Sequence, residues 1–400
     1  MNIFKNCTTQ PSRRRFIQSA AAGFASAAFA HTATPAWAQT APTNKLLVLV
    51  YLKGGNDAFN TLVPFTDPKY KSLRPTIALP HETLLHLNEK QGMHPALKPL
   101  LASWHAGDMA WLQGIGQAEI TNQHYRDLEM QFTGAALDEF LNDGWITRAL
   151  IAQPRGANLD AIAFNDLDIR EADPMGPFRG DKLRVLQLQQ ASTWVATRDI
   201  VKADTIATTP AKNSATKFAQ PNFIALNTKF SSDAFSDALY ATVQMVAAGI
   251  APPVVHITLN AADGDHHHAF DTHWDQLKHH GTALTRLSEG LSSFRTAMRE
   301  IGAWDNTLIA TYDEFGRSPN ENSNQGSHHG WSSAHLLLGG RVKGGLHGQP
   351  MPLTAVPTVG GPEPVIDTRA LYSTIIENWW GQNPKGIFNR RFKALDLLKI

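Results

Sequence analysis

The sequence predicts an α/β fold, a three-layer α/β/α sandwich on a mostly parallel central sheet. Three observations point there. Five short runs are apolar nearly throughout rather than alternating, which suits strands covered on both faces. Helical segments alternate with them, as parallel crossover connections require. Segments bearing carboxylates and histidines follow the strands, where open α/β sheets gather ligands.

The first strand is residues 45–52, which breaks at Gly54 and Gly55 and delivers Asp57. Glycines there allow a sharp turn and close backbone approach. Residues 94–105 read as a helix, 109–113 as a strand and 122–132 as a helix, with Thr121 ahead of it. Residues 153–221 mix short apolar runs with a Thr/Ala/Lys/Asn-rich stretch and read as an insertion or cap. A helix over 233–248, a strand over 254–259 and a long helix over 274–301 follow. His266, His267 and His268 read as a solvated loop, and His279 and His280 as surface positions on the long helix. The strand 307–312 leads directly into Asp313 and Glu314; a strand over 335–338 and a helix over 368–380 close the pattern. The sequence contains no internal repeat, Walker loop or GxGxxG.

The N-terminus stands apart. Ser12-Arg13-Arg14-Arg15-Phe16-Ile17-Gln18 resembles a twin-arginine export signal, a small-residue apolar run follows, and Ala36-Trp37-Ala38 supplies an A-x-A-like cleavage site. The apolar run is short for a bilayer and rich in alanine, which argues against a membrane anchor. The expectation is one large α/β domain over 39–400, periplasmic or secreted. Its partner in transit would be the twin-arginine machinery, and no membrane span would remain after cleavage. Removing residues 1–38 takes Lys5, Arg13, Arg14, Arg15 and no acid from 36 basic and 35 acidic side chains, leaving a formal charge of −3. That balance gives no reason to expect a nucleic-acid partner. The one cysteine, Cys7, goes as well, so a metal would have to be held by oxygen and imidazole.

The most informative stretch is 307–330 read with 54–60, two buried-type strands that each end in carboxylates with histidines nearby. To these is added Asp271-Thr272-His273, because an aspartate and a histidine two apart on a turn can point at one ion. That turn lies within FDTH (270–273). With GGNDAFNTLVP (54–64), NQHYRDLEMQFTG (122–134), DGW (143–145), DEFGR (313–317), HHGW (328–331) and LGGRVKGG (338–345), the chain resembles the bacterial domain of unknown function 1501 family. That family resembles the alkaline phosphatase/sulfatase superfamily in fold.

The resemblance covers nearly all of 39–400 and implies an alkaline phosphatase-like fold with one or two divalent ions (Mg²⁺, Mn²⁺, Ca²⁺ or Zn²⁺). Asp57, Asp313 and Glu314 would hold one ion; Asp271, His273 and His329 would hold the other. Glu314 stands where related phosphatases usually carry histidine, which makes the first set oxygen-rich and favours Mg²⁺, Mn²⁺ or Ca²⁺ there. Gln123 stands where many relatives carry a serine nucleophile, and an amide cannot form a covalent phospho- or sulfo-enzyme. Thr121 is the alternative hydroxyl, with helix N-cap as its plainer role. His124 is a candidate for contacting substrate or for supporting the metal ligands from behind, with a structural histidine as the plainer role. Arg317 either grips an anionic group or pairs with Asp313 or Glu314.

Two readings of function follow. One is a metal-dependent hydrolase acting on small anionic phosphate or sulfate esters. The alternative is a non-catalytic, metal-stabilised periplasmic binding or assembly protein on a degenerate hydrolase fold, which Gln123 favours. A redox metal protein is weaker, with no haem motif and no cysteine beyond Cys7. The metal readings require that Asp57, Asp271 and Asp313 converge on His273 and His329.

Overall fold

Leu46–Leu52 (β1) lies mid-sheet, and every one of its side chains is buried, as its unbroken apolar run requires. The computed structural model describes residues 45–152, 159–164, 176–188, 191, 223–260, 269–356 and 358–400. The expected export signal, most of the 153–221 segment and His266–His268 lie outside the described residues.

After β1 come the short helix Ala58–Thr61 (α1), a small sheet of Leu62–Val63 (β2), Leu85–His86 (β3) and Gly92–Met93 (β4), and, between its strands, Pro68–Leu73 (α2). Leu101–Ala106 (α3), Met109–Gly116 (β5), His124–Thr133 (α4), Trp145–Ile151 (α5), Ala161–Phe164 (β6) and Val185–Leu188 (β7) follow. The second half holds Ala234–Ala247 (α6), Val254–Leu259 (β8), Gln276–Glu300 (α7), Thr307–Tyr312 (β9), Gly316–Glu321 (β10), Ser327–Gly330 (β11) and Ser333–Leu338 (β12). Gly345–Gly348 (β13), Ile366–Asp367 (β14) and Thr368–Thr374 (α8) complete it, α8 running on into a π-helical turn over Ile375–Trp379.

The main sheet has the order β13-β5-β12-β9-β1-β8-β6-β7, with β14 also on β5. Its pairings are parallel except that β12 runs antiparallel to both β9 and β5. The fold is therefore α/β with a mostly parallel central sheet. All five predicted strands are present; β6, β7, β13 and β14 carry at most four residues each, too short for a periodic signal.

Leu47, Leu49 and Tyr51 share one core with Leu128, Phe132, Trp145, Tyr372 and Trp379, which puts α4, α5 and α8 on that face. Leu46, Val48, Val50 and Leu52 alternate to the other face and are equally buried. There α6 packs on α7 and touches β8.

Two expectations need correction. The 94–105 helix is split: Pro95–Leu100 is 3₁₀, and α3 begins only after Pro99, because Pro99 withholds the amide that would close the first regular α-turn on residue 95. His280, expected on the surface, is buried under α7 with its Nε2 3.0 Å from Asn56 Oδ1.

Buried histidines recur through this core. Burial lowers His256, His280 and His335 to about 3 and His94 to about 4, from an ordinary 6.5. Below pH 6.5 the unfolded chain takes up protons on these rings while the folded chain refuses them. Stability is therefore complete above 6.5 and falls as pH drops toward 4, by about 1.4 kcal/mol per pH unit per ring. Asp313, pushed well above the usual range by burial, works the other way, as do the raised Asp127, Asp237 and His124. The four rings, however, are joined on the acid-sensitive side by His329, Asp57 and Asp271, whose shifts are downward. Thermal melts should accordingly show a midpoint at pH 5 clearly below that at pH 7; a flat profile would contradict the neutral, buried state of these rings.

Candidate metal centre

The carboxyl ends of β1, β5, β8 and β9 and the amino end of antiparallel β12 all lie on one rim, and each contributes a segment to the site. At the end of β1, Gly54 and Gly55 have φ of 111° and 88°, conformations open to glycine. A Cβ on Gly54 would collide with the backbone of Asp271, so the absence of a side chain brings the 270–273 loop against β1. In that loop the Thr272 and His273 amides donate to the carbonyls two residues back. Thr272 is buried while Asp271 and His273 are partly exposed, and those two side chains meet, with His273 Nε2 3.1 Å from Asp271 Oδ1.

Four side chains converge. One ligand atom each from His124, Asp271, His273 and His329 lies within 4.8 Å of all the others. The Nε2 atoms of His273 and His329 are 3.0 Å apart, His273 Nε2 is 3.1 Å from Asp271 Oδ1, and His124 Nε2 is 3.6 Å from the same oxygen. Zinc bonds of about 2.0–2.1 Å at tetrahedral angles separate neighbouring donors by about 3.3 Å. The spacing fits such an ion, and so does the donor chemistry of three imidazoles and a carboxylate.

The outward nitrogens are also held. His124 Nδ1 is 2.7 Å from Glu314 Oε1, and His329 Nδ1 is 2.8 Å from the carbonyl oxygen of Asn122. Acceptors there keep the proton on Nδ1 and leave Nε2 as the lone pair, an arrangement that metal-binding histidines use. Glu314 is fixed in turn by the Gly54 amide, 3.1 and 3.3 Å from its two oxygens.

Electrostatics agree. Burial and the Arg317 charge lower His329 to about 3, so its ring is neutral at physiological pH. Burial would raise Asp271, but hydrogen bonding from His273 and the adjacent Arg317 hold it below the usual carboxylate range. Burial pulls His124 down, and the Glu314 hydrogen bond and charge, with Asp271, outweigh it, leaving a net upward shift.

The other expected residues are placed differently. Asp57 is fully buried and engaged elsewhere: Oδ1 caps α1 through the Phe59 and Asn60 amides, while Oδ2 accepts from Arg74 at 2.7 Å and Gln276 at 2.5 Å. Asp313 turns away from the cluster, accepting from the Asn56 amide at 3.1 Å and Ser333 Oγ at 2.5 Å. Glu314 stands behind His124 rather than among the converging atoms, so the set Asp57, Asp313 and Glu314 does not assemble. Arg317 is buried and donates to the Gly54 and Gly55 carbonyls and to Asp271, pairing with neither Asp313 nor Glu314.

Thr121 is not the N-cap of α4. Gln123 occupies that position without a side-chain bond, and the Thr121 hydroxyl donates to Asp127 Oδ1 at 2.9 Å. The Gln123 side chain is exposed. His124, read as a substrate or structural residue, is one of the four converging side chains. Arg74, Gln276 and Asn122 gave no separate signal, since nothing local in the sequence distinguishes a buried arginine or a carbonyl aimed across the sheet rim.

Among known families, the model for proteins of unknown function (DUF1501) matches residues 206–378. The chain resembles the DUF1501 family. The matched span contains Asp271, His273, Asp313, Glu314, Arg317 and His329, and His124 precedes it. No curated protein matches the chain. Similar solved structures include the lipoteichoic acid synthase LtaP of Listeria monocytogenes (11% identity, TM-score 0.42, 88% of this chain and 75% of that one). The phosphonate monoester hydrolase SpPMH of Silicibacter pomeroyi is similar at 13% identity and TM-score 0.40, over 88% of this chain and 76% of its own. An alkaline phosphatase superfamily protein of Vibrio parahaemolyticus is similar at 10% identity and TM-score 0.41, over 84% of this chain and 66% of its own. Likeness at this level assigns no activity. Among the described residues of the DUF1501-like chain, no helix is long and apolar enough to cross a membrane.

Two classes of variant separate the site from its scaffold. Elemental analysis of protein purified without chelator should find stoichiometric metal in the parent and little in Asp271→Ala and His329→Ala. Asp57→Asn should leave metal content unchanged while lowering stability by about 3 kcal/mol or more, because it strands the buried Arg74 guanidinium. Loss of metal in Asp57→Asn at full stability would return Asp57 to the ligand set.

Proposed function

We propose that the chain is an exported, metal-dependent hydrolase of small anionic phosphate or sulfate esters, using one zinc-type ion held by His124, Asp271, His273 and His329. The observation that carries this reading is the convergence of three imidazole Nε2 atoms on the Asp271 carboxylate, two of those rings having their far nitrogen held by an acceptor. A single ion is favoured because the remaining carboxylates, Asp57 and Asp313, are engaged with buried protein donors.

When bound, the ion supplies Lewis acidity toward an ester oxygen and the attacking water. The chain's residues supply the rest. Hydrogen bonding from His273 and the Arg317 charge keep Asp271 ionised against burial, and the low pKa of His329 keeps its lone pair free at neutral pH. Asp271 and Glu314 bring two negative charges against one from Arg317, a deficit that a dication more than offsets, which favours an anionic substrate. The side chains of His124, Asp271 and His273 remain 24%, 20% and 30% exposed, so the cluster is open to a ligand from solvent.

The Thr121 hydroxyl is committed to Asp127 and Gln123 offers no nucleophile, which supports direct attack by water over a covalent intermediate. The same absence favours the second reading, a metal-stabilised binding or assembly protein.

Zinc-loaded protein is expected to hydrolyse p-nitrophenyl phosphate or sulfate without a pre-steady-state burst, with His273→Ala slower by at least about a hundredfold. A loaded, well-folded protein inert toward a broad panel of both ester classes would favour the binding protein. Export is tested separately. The parent should accumulate outside the cytoplasm with a new N-terminus at residue 39, and Arg13→Lys with Arg14→Lys should stay inside at full length. Cytoplasmic retention of the parent would overturn the export reading.

A further inference from the structure

Asn122 combines three features that the metal site by itself does not explain. Its backbone is left-handed, with φ of 58°, a conformation that asparagine tolerates better than other side-chain-bearing residues. Its carbonyl accepts from His329 Nδ1 at 2.8 Å, across 207 residues of sequence. Its side-chain Oδ1 is buried without a hydrogen-bond partner, which costs stability rather than adding to it.

The flanking residues hold this conformation from both sides. Asp127 Oδ1 accepts from the Thr121 amide at 2.7 Å and hydroxyl at 2.9 Å, and Oδ2 accepts from the Gln123 amide at 3.2 Å. One carboxylate thus holds both residues that flank Asn122. Backbone strain kept in place by surrounding bonds is a mark of functional segments. Here the strained residue's amide joins the bonds to Asp127, which leaves its carbonyl to face a ring in the candidate metal cluster.

We infer that Asn122 is a positioning residue for the metal centre: its left-handed backbone aims a carbonyl at His329 Nδ1, fixing the ring as the Nδ1–H tautomer with Nε2 toward Asp271 and His273. The inference rests on the metal-site reading for its consequence, while its geometric content concerns His329 alone. It assigns the role to the backbone and gives the side chain no hydrogen-bonding part. Asp127 is the second component of the device, acting through Thr121 and Gln123.

Asn122→Gly and Asn122→Ala separate these contributions. Glycine adopts positive φ freely and retains the carbonyl, so Asn122→Gly should bind Zn²⁺ or Co²⁺ within about threefold of the parent. Alanine resists that conformation, and Asn122→Ala should bind about tenfold more weakly. In the metal-free proteins, histidine ring ¹⁵N shifts should report the Nδ1–H tautomer of His329 in the parent and Asn122→Gly, and a mixture in Asn122→Ala. Equal affinities and equal tautomers in all three proteins would overturn the inference, as would an Asn122→Gly defect as large as that of Asn122→Ala. A parent that takes up no metal would sink the hydrolase reading, and the tautomer comparison would still decide the role of Asn122.

Discussion

The site depends first on the buried guanidinium of Arg317. This one group donates to the carbonyls of Gly54 and Gly55 at the end of β1, to the carbonyl of Ser327 on β11 and to the carboxylate of Asp271 in the loop after β8. It belongs to β10, the partner strand of β11, so three regions far apart in sequence meet on a single planar fork. A buried arginine is tolerated only when its donors are matched and its charge is faced by a carboxylate. The requirement fixes the loop that carries Asp271 and His273 against the rim. The glycines at 54 and 55 are its complement: their carbonyls accept from the fork, the missing side chain at 54 admits the backbone of Asp271, and that at 55 admits Phe315.

A second layer of control falls on the imidazoles. A histidine offers a cation a lone pair only if its other nitrogen holds the proton, and an acceptor at that nitrogen sets the choice. Glu314 does this for His124 as a charged acceptor, which also raises the basicity of that ring. The Asn122 carbonyl does it for His329 as a neutral one, and His329 stays a weak base. The cluster therefore contains imidazoles of differing basicity built from the same residue type.

Much of the fold was legible because the central strands are apolar without interruption, and such strands have one place to go in an α/β protein. β1, β8 and β9 announced themselves in this way, while β6 and β7 did not, having four residues each. Within the site, Asp271, His273 and His329 were legible as local pairs near strand ends. Asp57 looked equally suitable, following a strand and two glycines. Its fate was decided by Arg74 and Gln276, which reach it from α2's C-terminal end and the start of α7, and no local pattern reports such a contact. His280 was misread for a related reason: on a long helix, burial depends on which face the neighbouring elements cover, and Asn56 and His94 lie over that position.

The contrast between Asp313-Glu314 and Asp271-Thr272-His273 shows what sequence spacing can carry. In extended chain, adjacent side chains project to opposite sides and alternate ones to the same side. Asp313 and Glu314 immediately follow β9 and separate accordingly: one carboxyl enters the core toward Ser333 and Asn56, the other faces His124. They cannot serve one ion as a pair, however suggestive two neighbouring acids look. Asp271 and His273 keep the alternate spacing and do meet, with the buried Thr272 between them anchored to Gln276. Gln276 in turn binds Asp57, so the residue that resembled a ligand acts one step further back. Through Gln276 and Arg74 the Asp57 carboxylate braces the turn before α7 and the Ser318 and Pro319 carbonyls of β10. Its contribution is the rigidity of the frame on which Asp271, His273 and Arg317 are mounted.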